Sequence, residues 1–255
     1  MSEVLLAASA VTRRFGGLTA VNGVSLGLRR GQVHAVIGTN GAGKSTLINI
    51  LSGELAPSSG QVMLDGRDVT AWRQPERARA GLGRSYQRST IFPELSVLEN
   101  CRLAAQARRQ RFWRWWRPAS DCRRSAELAR HALDCTGLAD DAPRAAGLLP
   151  HGRKRQLEIA MCLAGEPQVL LLDEPLAGMG PEETDRILAL LQTLKSGHAI
   201  LLVEHDMDAV FRVAETITVM VNGSAIASGT PQEIRANPEV RTAYLGEDAD
   251  AGAGR

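Results

Sequence analysis

Residues 38–45 read Gly38-Thr39-Asn40-Gly41-Ala42-Gly43-Lys44-Ser45, filling every fixed position of the phosphate-loop pattern G-x-x-x-x-G-K-[ST]. Glycines let backbone N–H groups close around phosphate oxygens without Cβ clashes. Lys44 adds a point charge for the β- and γ-phosphates, and Ser45 offers a hydroxyl to Mg²⁺. The flanks agree with this reading. His34-Ala35-Val36-Ile37 is a short, mostly apolar run that suits a buried strand. Thr46 to Leu51 suits a helix, whose N-terminus favours an anion. The competing reading is a glycine-rich surface turn, and the strand, loop and helix around a complete motif argue against it. The chain is expected to bind a nucleoside triphosphate through residues 38–46.

Two further apolar runs end in chemically capable side chains. Val169-Leu170-Leu171-Leu172-Asp173-Glu174 reads as a strand closed by two carboxylates. Acids at the C-terminal end of a buried parallel strand lie beside a phosphate loop. There Asp173 can hold Mg²⁺ and Glu174 can orient or deprotonate a water. A strand followed by a solvated acidic turn is the plainer alternative. Ala199-Ile200-Leu201-Leu202-Val203-Glu204-His205-Asp206 is a second such strand, and places a histidine on the same edge. A lone histidine there is commonly structural; beside a phosphate loop it can reach a γ-phosphate or the attacking water. Gln87, in Ser85-Tyr86-Gln87, is either a buried polar residue at a strand end or a ligand for Mg²⁺ and water.

Length and composition bound the fold. The 255 residues, 44% hydrophobic, suit one large α/β domain or a domain carrying a subdomain. The net charge of +2 does not argue for nucleic acid. It conceals a block at 102–130, where nine arginines face only Asp121 and Glu127. Cys101, Cys122, Cys135 and Cys162 form no C-x-x-C pair, which suits reduced thiols in a cytosolic protein. No signal peptide and no apolar run long enough to span a membrane are visible.

Turn and apolar patterns predict a mostly parallel α/β core. Strand-like runs at Val4–Ala7, Val24–Leu28, Val33–Ile37 and Gln61–Leu64 give an antiparallel β portion at the front. Helices are expected over 96–109, Ala119–Thr136 and 153–164. The first opens on Ser96 with Glu99 three residues later, a capping-box pattern. Strand and helix then alternate through Glu182–Lys195 and Met207–Ala214 to a hairpin at Asn222-Gly223. The expected domains are an ATPase core at 1–94 and 166–246, an inserted helical subdomain at 95–165, and a frayed tail at 247–255.

The order of phosphate loop, glutamine, signature, Asp-Glu and histidine resembles the ATP-binding subunits of ABC transporters, from about Val4 to Leu245. The resemblance implies a P-loop NTPase fold, ATP and Mg²⁺ as cofactors, and two such subunits closing face to face. Each nucleotide would then sit between one phosphate loop and the opposite signature. The resemblance puts Phe15 where an aromatic stacks on adenine, with a core phenylalanine as the competing reading. Gln87 matches the loop that senses nucleotide and touches the membrane subunit. Asp173 matches the metal-site acid, Glu174 the catalytic carboxylate and His205 the switch histidine, with Lys44 and Ser45 on the phosphates and Mg²⁺.

The signature departs from the family's L-S-G-G-Q, reading Leu149-Pro150-His151-Gly152-Arg153. Pro150 offers neither a hydroxyl nor an N–H. That leaves the Gly152 N–H and the positive end of the following helix, with His151 and Arg153 as extra charge. Gly180 also stands where the family often has aspartate.

Arg14-Phe15-Gly16-Gly17-Leu18-Thr19-Ala20-Val21-Asn22, Glu204-His205-Asp206-Met207 and the stretch 237–246 are similar to the branched-chain amino acid importer ATPases. The larger subunit type of that system, which carries an insertion in its helical region, is the nearer likeness. This resemblance implies permease partners, a second ATPase that is more often different than identical, a periplasmic binding protein acting indirectly, and a peripheral place on the cytoplasmic face of the inner membrane. Urea or amide import and lipid export are neighbouring alternatives. A soluble ATPase of nucleic acid or ribosomes is the alternative from another class, and no nucleic-acid partner is expected. The insertion carries Arg108, Arg111, Arg114 and Arg117 at helical spacing with Trp113, Trp115 and Trp116. It reads as membrane-proximal contact, as a solvated basic helix, or as a single-strand binder.

Overall fold

The computed structural model describes residues 3–87, 90–109 and 123–245. The front portion starts with β1 (Val4–Phe15) and β2 (Leu18–Arg29), antiparallel across Gly16-Gly17. Then β3 (Gln32–Gly38) runs through the phosphate loop into α1 (Lys44–Ser52). β4 (Ser59–Leu64) and β5 (Arg67–Asp68) form a hairpin on Asp65-Gly66, both left-handed as a tight antiparallel turn requires. α2 (Gln74–Arg79) and the short β6 (Leu82–Arg84) follow.

Three helices come next: α3 (Val97–Arg109), α4 (Arg123–Cys135) and α5 (His151–Ala164). The Glu99 N–H donates to Ser96 Oγ at 3.1 Å, as the N-cap pattern predicts; the Glu99 carboxylate instead turns to Arg102. The return to the core is β7 (Val169–Asp173), α6 (Pro181–Leu194), β8 (Ala199–Val203), α7 (Met207–Val213), β9 (Thr216–Val221) and β10 (Ser224–Gly229). α8 (Pro231–Ala236) and α9 (Pro238–Val240) follow, each with a proline in its first turn, and a π-helical turn at Arg241–Leu245 closes the described chain.

The strands build two sheets. One is antiparallel, ordered β2-β1-β4-β5. The other is ordered β10-β9-β3-β8-β7-β6, parallel from β9 to β6 with β10 added antiparallel. Every residue of β7 and β8 is buried, as unbroken apolar runs must be when both sheet faces are covered. Leu47, Ile48, Ile50 and Leu51 of α1 fill the space between the sheets, while α6 and α7 cover the opposite face. Helices α3 to α5 share a separate core of Val97, Cys101, Leu128, Leu133 and Leu157.

Sequence reading misses α2, β5 and β6, which are too short to show a period. Cys101, Cys135 and Cys162 are free thiols, and Cys122 lies outside the described residues. So do the tail expected at 247–255 and the start of the helix expected from Ala119.

Arg77 of α2 holds α1 in place. It is fully buried and donates to the carbonyls of Ile50, Leu51, Thr70 and Trp72. It thereby satisfies acceptors that the end of α1 leaves open.

His34 on β3 is buried and neutral. Nδ1 faces the Gly27 carbonyl at 3.3 Å and Nε2 the Thr218 hydroxyl at 2.8 Å. Burial pushes its pKa down to about 4, against a backbone hydrogen bond to Gly27 that raises it. A lowered histidine value makes its contribution present above the unfolded value near 6.5 and lost as pH falls toward 4. Denaturant titrations at stepped pH should show about 3 kcal/mol of stability lost across that window through this group. His34→Gln should lose that part of the acid slope; equal slopes in both chains would contradict the assignment.

Candidate nucleotide site at the sheet edge

The phosphate loop leaves the C-terminal end of β3 and is pinned from two directions. The Ala42 N–H donates to the Thr39 carbonyl at 3.1 Å, and the Gly223 N–H donates to the Ala42 carbonyl at 3.1 Å. The Asn22 N–H donates in turn to the Gly223 carbonyl at 2.8 Å, so the β9–β10 turn links loop and front sheet. Gly43 shows why glycine is needed. Its φ is +96°, and a Cβ there would lie 2.2 Å from the Ala20 carbonyl oxygen. Gly38 is equally tight, with a Cβ 2.3 Å from the Met220 carbonyl oxygen. Asn40, Gly41 and Ser45 are exposed at the mouth, while Thr39 and Thr46 are half-buried.

Lys44 is 7% exposed and curls onto the loop, donating to the carbonyls of Gly38 at 2.6 Å and Thr39 at 3.1 Å. Burial lowers its pKa, partly offset by the carboxylates of Glu174, Asp173 and Glu204. It is a cation held among three acids and ready to meet a phosphate.

Register brings the acids there. Val36 of β3 pairs with Val203 of β8, which pairs with Asp173 of β7. The phosphate loop, Glu174 and His205 therefore all emerge within two residues of one line across the sheet. Asp173 is buried, and burial raises its carboxyl above the usual range against the pull of Arg84 and Lys44. Arg84 lies 3.8 Å from Asp173, holds Glu54 at 2.7 Å and Asn49 at 2.6 Å, and stacks under the Tyr86 ring.

Glu174 has a left-handed backbone, φ +46°. Gln87 is exposed rather than buried, and its Nε2 donates to Glu174 Oε2 at 2.9 Å. His205 Nδ1 lies 4.0 Å from Glu174 Oε1. Gln87, Glu174 and His205 thus meet at one point beside Asp173 and Lys44. Phe15 is 46% exposed, with the Arg13 guanidinium 4.7 Å from its ring centre, so the ring is not part of the core.

The signature stands apart from this cluster. Pro150 is the N-cap of α5, with no side-chain cap. The Gly152 N–H donates to Glu183 of α6 at 3.3 Å. The Arg153 guanidinium is engaged by Asp141 at 2.8 Å and by the Gly137 carbonyl. Leu149 is buried and His151 exposed. Gly180 takes the N-cap of α6 with no side chain to cap it. The Arg/Trp insertion lies outside the described residues from 110 to 122.

Three site residues escape sequence reading. Arg84 braces Asp173. Arg155 of α5 donates to the backbone carbonyls of Tyr86 at 2.9 Å and Gln87 at 3.0 Å, tying the helical part to the glutamine loop. Glu204 is fully buried, and burial pushes its carboxyl up to about 7, opposed by backbone N–H donors from Leu176 and His205. Only Glu204 carries a sequence signal, an acid closing an apolar strand.

Comparison with known proteins agrees with this geometry. The family described as ABC transporter matches residues 21–177, and that described as branched-chain amino acid ATP-binding cassette transporter matches residues 226–250. The chain is 43% identical over 255 residues to the high-affinity branched-chain amino acid transport ATP-binding protein BraF of Pseudomonas aeruginosa, covering 97% of this chain and 100% of BraF. It is 39% identical over 254 residues to LivG of Escherichia coli K12, a protein of the same description, with the same coverage. The crystal structure of the ADP conformation of MJ1267, an ATP-binding cassette of an ABC transporter, superposes with a TM-score of 0.87 at 30% identity, covering 96% of this chain and 100% of that one. Matched over most of its length by family, sequence and fold, the chain belongs to the ABC transporter family as an ATP-binding subunit.

Proposed function

We propose that the chain hydrolyses ATP to drive uptake of branched-chain or related amino acids through membrane permease subunits. The observation that carries this reading is the register line Val36, Val203, Asp173, which assembles phosphate loop, acids and histidine on one edge. The substrate class is supported by relatives named for branched-chain amino acid transport and matched along their full length.

In this reading, backbone N–H groups of residues 39–46 and the Lys44 ammonium bind the phosphates, and Phe15 supports the adenine. Glu174 accepts a proton from the attacking water, held in place by Gln87 and flanked by His205. Among the described residues no three His, Cys, Asp or Glu side chains cluster as a metal cage. The oxygen donors available, the Ser45 hydroxyl, Asp173 carboxylate and Gln87 amide, suit Mg²⁺ arriving with a triphosphate. Bound there, Mg²⁺ would neutralise charge on the β- and γ-phosphates.

The resemblance to ABC ATP-binding subunits supports the assembly. Leu149 to Arg153 lie away from the chain's own phosphate loop cluster and are assigned to a nucleotide on a second ATPase subunit, more often different than identical. Among the described residues no helix is long and apolar enough to cross a membrane. We assign the chain to the cytoplasmic membrane face, with a periplasmic binding protein as an indirect partner. A groove of 320 Å³ is lined by Arg79, Arg84, Thr90, Glu158 and Cys162, and we assign it as the seat of a permease segment. Segment 95–165 is assigned as the unit that carries the signature, and nucleic acid is not assigned as a partner.

Glu174→Gln should bind ATP with parental affinity and lose turnover by about 10²-fold or more. Parental turnover in that variant would overturn the site. Gly43→Ala should weaken binding of a fluorescent ATP analogue by about tenfold or more, since a Cβ meets the Ala20 carbonyl. Unchanged binding would show that the loop does not hold the phosphates.

A further inference from the structure

Glu174 offers its carboxylate from a left-handed backbone that disfavours any residue with a Cβ. Such a conformation persists only where the surroundings hold it. Beside the Ala177 N–H on the Glu174 carbonyl at 3.3 Å, two contacts from the end of β8 do so. The Glu174 N–H donates to the Val203 carbonyl at 2.9 Å. Two residues on, the Leu176 N–H donates to Glu204 Oε1 at 2.8 Å. The chain on either side of the strained turn is thereby tied to one strand terminus.

The Glu204 carboxylate serves a second element at the same time. Its Oε2 accepts the His205 N–H at 3.3 Å and lies 3.9 Å from His205 Nδ1. Glu174 Oε1 lies 4.0 Å from that same nitrogen. Glu204 is fully buried, and its ionisable neighbours are His205, Glu174 and Lys44; among the described residues no lysine or arginine lies within ion-pair distance of it. Burying a carboxyl without such a partner is costly, and a leucine would fill the space at less cost. What a leucine cannot do is accept two backbone N–H groups from two different loops.

We propose that Glu204 is a positioning residue for ATP hydrolysis: it locks the turn after Glu174 to the loop of His205, and so sets the direction of the Glu174 carboxylate. This rests on the reading of Glu174 as the proton acceptor. Neither side-chain hydrogen bond of Glu204 is made to a residue of the phosphate loop, so its loss acts on the chemical step. A small rotation of a general base away from its water has a large effect on rate and little on substrate binding.

The test compares Glu204→Leu, Glu204→Ala and Glu204→Gln in the full chain, with Glu174→Gln as reference. Steady-state ATP hydrolysis, binding of a fluorescent ATP analogue and thermal unfolding are measured for each. Glu204→Leu and Glu204→Ala should lower kcat by about 30-fold or more, with KM for MgATP within about threefold of parental. Glu204→Gln keeps a carbonyl acceptor for Leu176 and should recover kcat to within about fivefold of parental. If the leucine variant does not fold, the alanine variant must show the same split between kcat and KM. Parental kcat in the leucine or alanine variant overturns the proposal. So does an equal loss of kcat in the glutamine variant, or loss of nucleotide binding together with kcat. Parental turnover in Glu174→Gln removes the underlying reading instead; an inactive Glu174→Gln beside a fully active Glu204→Ala removes the role of Glu204 alone.

Discussion

The parallel pairing of β3, β8 and β7 is the constraint on which the remaining structure depends. With Val36, Val203 and Asp173 on one line, the ends of three strands are fixed relative to each other to within a hydrogen-bond length. A slip of one residue in either pairing would turn apolar side chains to the wrong face and carry Glu174 or His205 away from the loop. Burial enforces the register. All five residues of β7 and of β8 are enclosed, and α1 on one face and α6 with α7 on the other leave no room for an alternative. The apolar content of these strands is therefore what gives the polar edge its geometry.

Electrostatics at that edge follows from the same packing. Lys44, Asp173, Glu174 and Glu204 are brought together where water is scarce. Burial lowers the lysine and raises the Asp173 and Glu204 carboxyls; the acids offset part of the lysine's shift and Lys44 part of that of Asp173, while Glu174 adds to the rise of both carboxyls. Arg84 completes the balance from β6, held by Asn49 and Glu54. Arg155 and Gln87 extend the network to α5, so the helical part and Glu174 are connected through a short chain of hydrogen bonds. Residues 151–153 at the start of α5 share that helix with Arg155, which donates to the Gln87 carbonyl.

Much of this was legible in the sequence because the decisive features are local. The phosphate loop, two apolar strands closed by Asp173-Glu174 and Glu204-His205, the Ser96 cap and the Asn222-Gly223 hairpin each declare themselves within a few residues. Features made by distant pairing did not. Arg77 and Arg84 look like surface arginines until α2 and β6 fold them inward, and β6 itself spans only three residues. Arg153, read as spare charge for a phosphate, is committed to Asp141, an acid whose proximity no local pattern announces. The left-handed turn at Glu174 was also invisible, since nothing in the run to Asp173-Glu174 differs from an ordinary strand end.

The division of labour proposed for the two adjacent acids is the central claim: Asp173 would hold the metal with its nucleotide, and Glu174 would act on water. Electron–nuclear spectroscopy with Mn²⁺ in place of Mg²⁺ reads this directly through coupling to the phosphorus nuclei of ATP. Phosphorus coupling is expected in the parent chain and in Glu174→Gln, and about tenfold or greater loss of Mn²⁺-ATP affinity in Asp173→Asn. Parental Mn²⁺-ATP affinity and coupling in Asp173→Asn would contradict it.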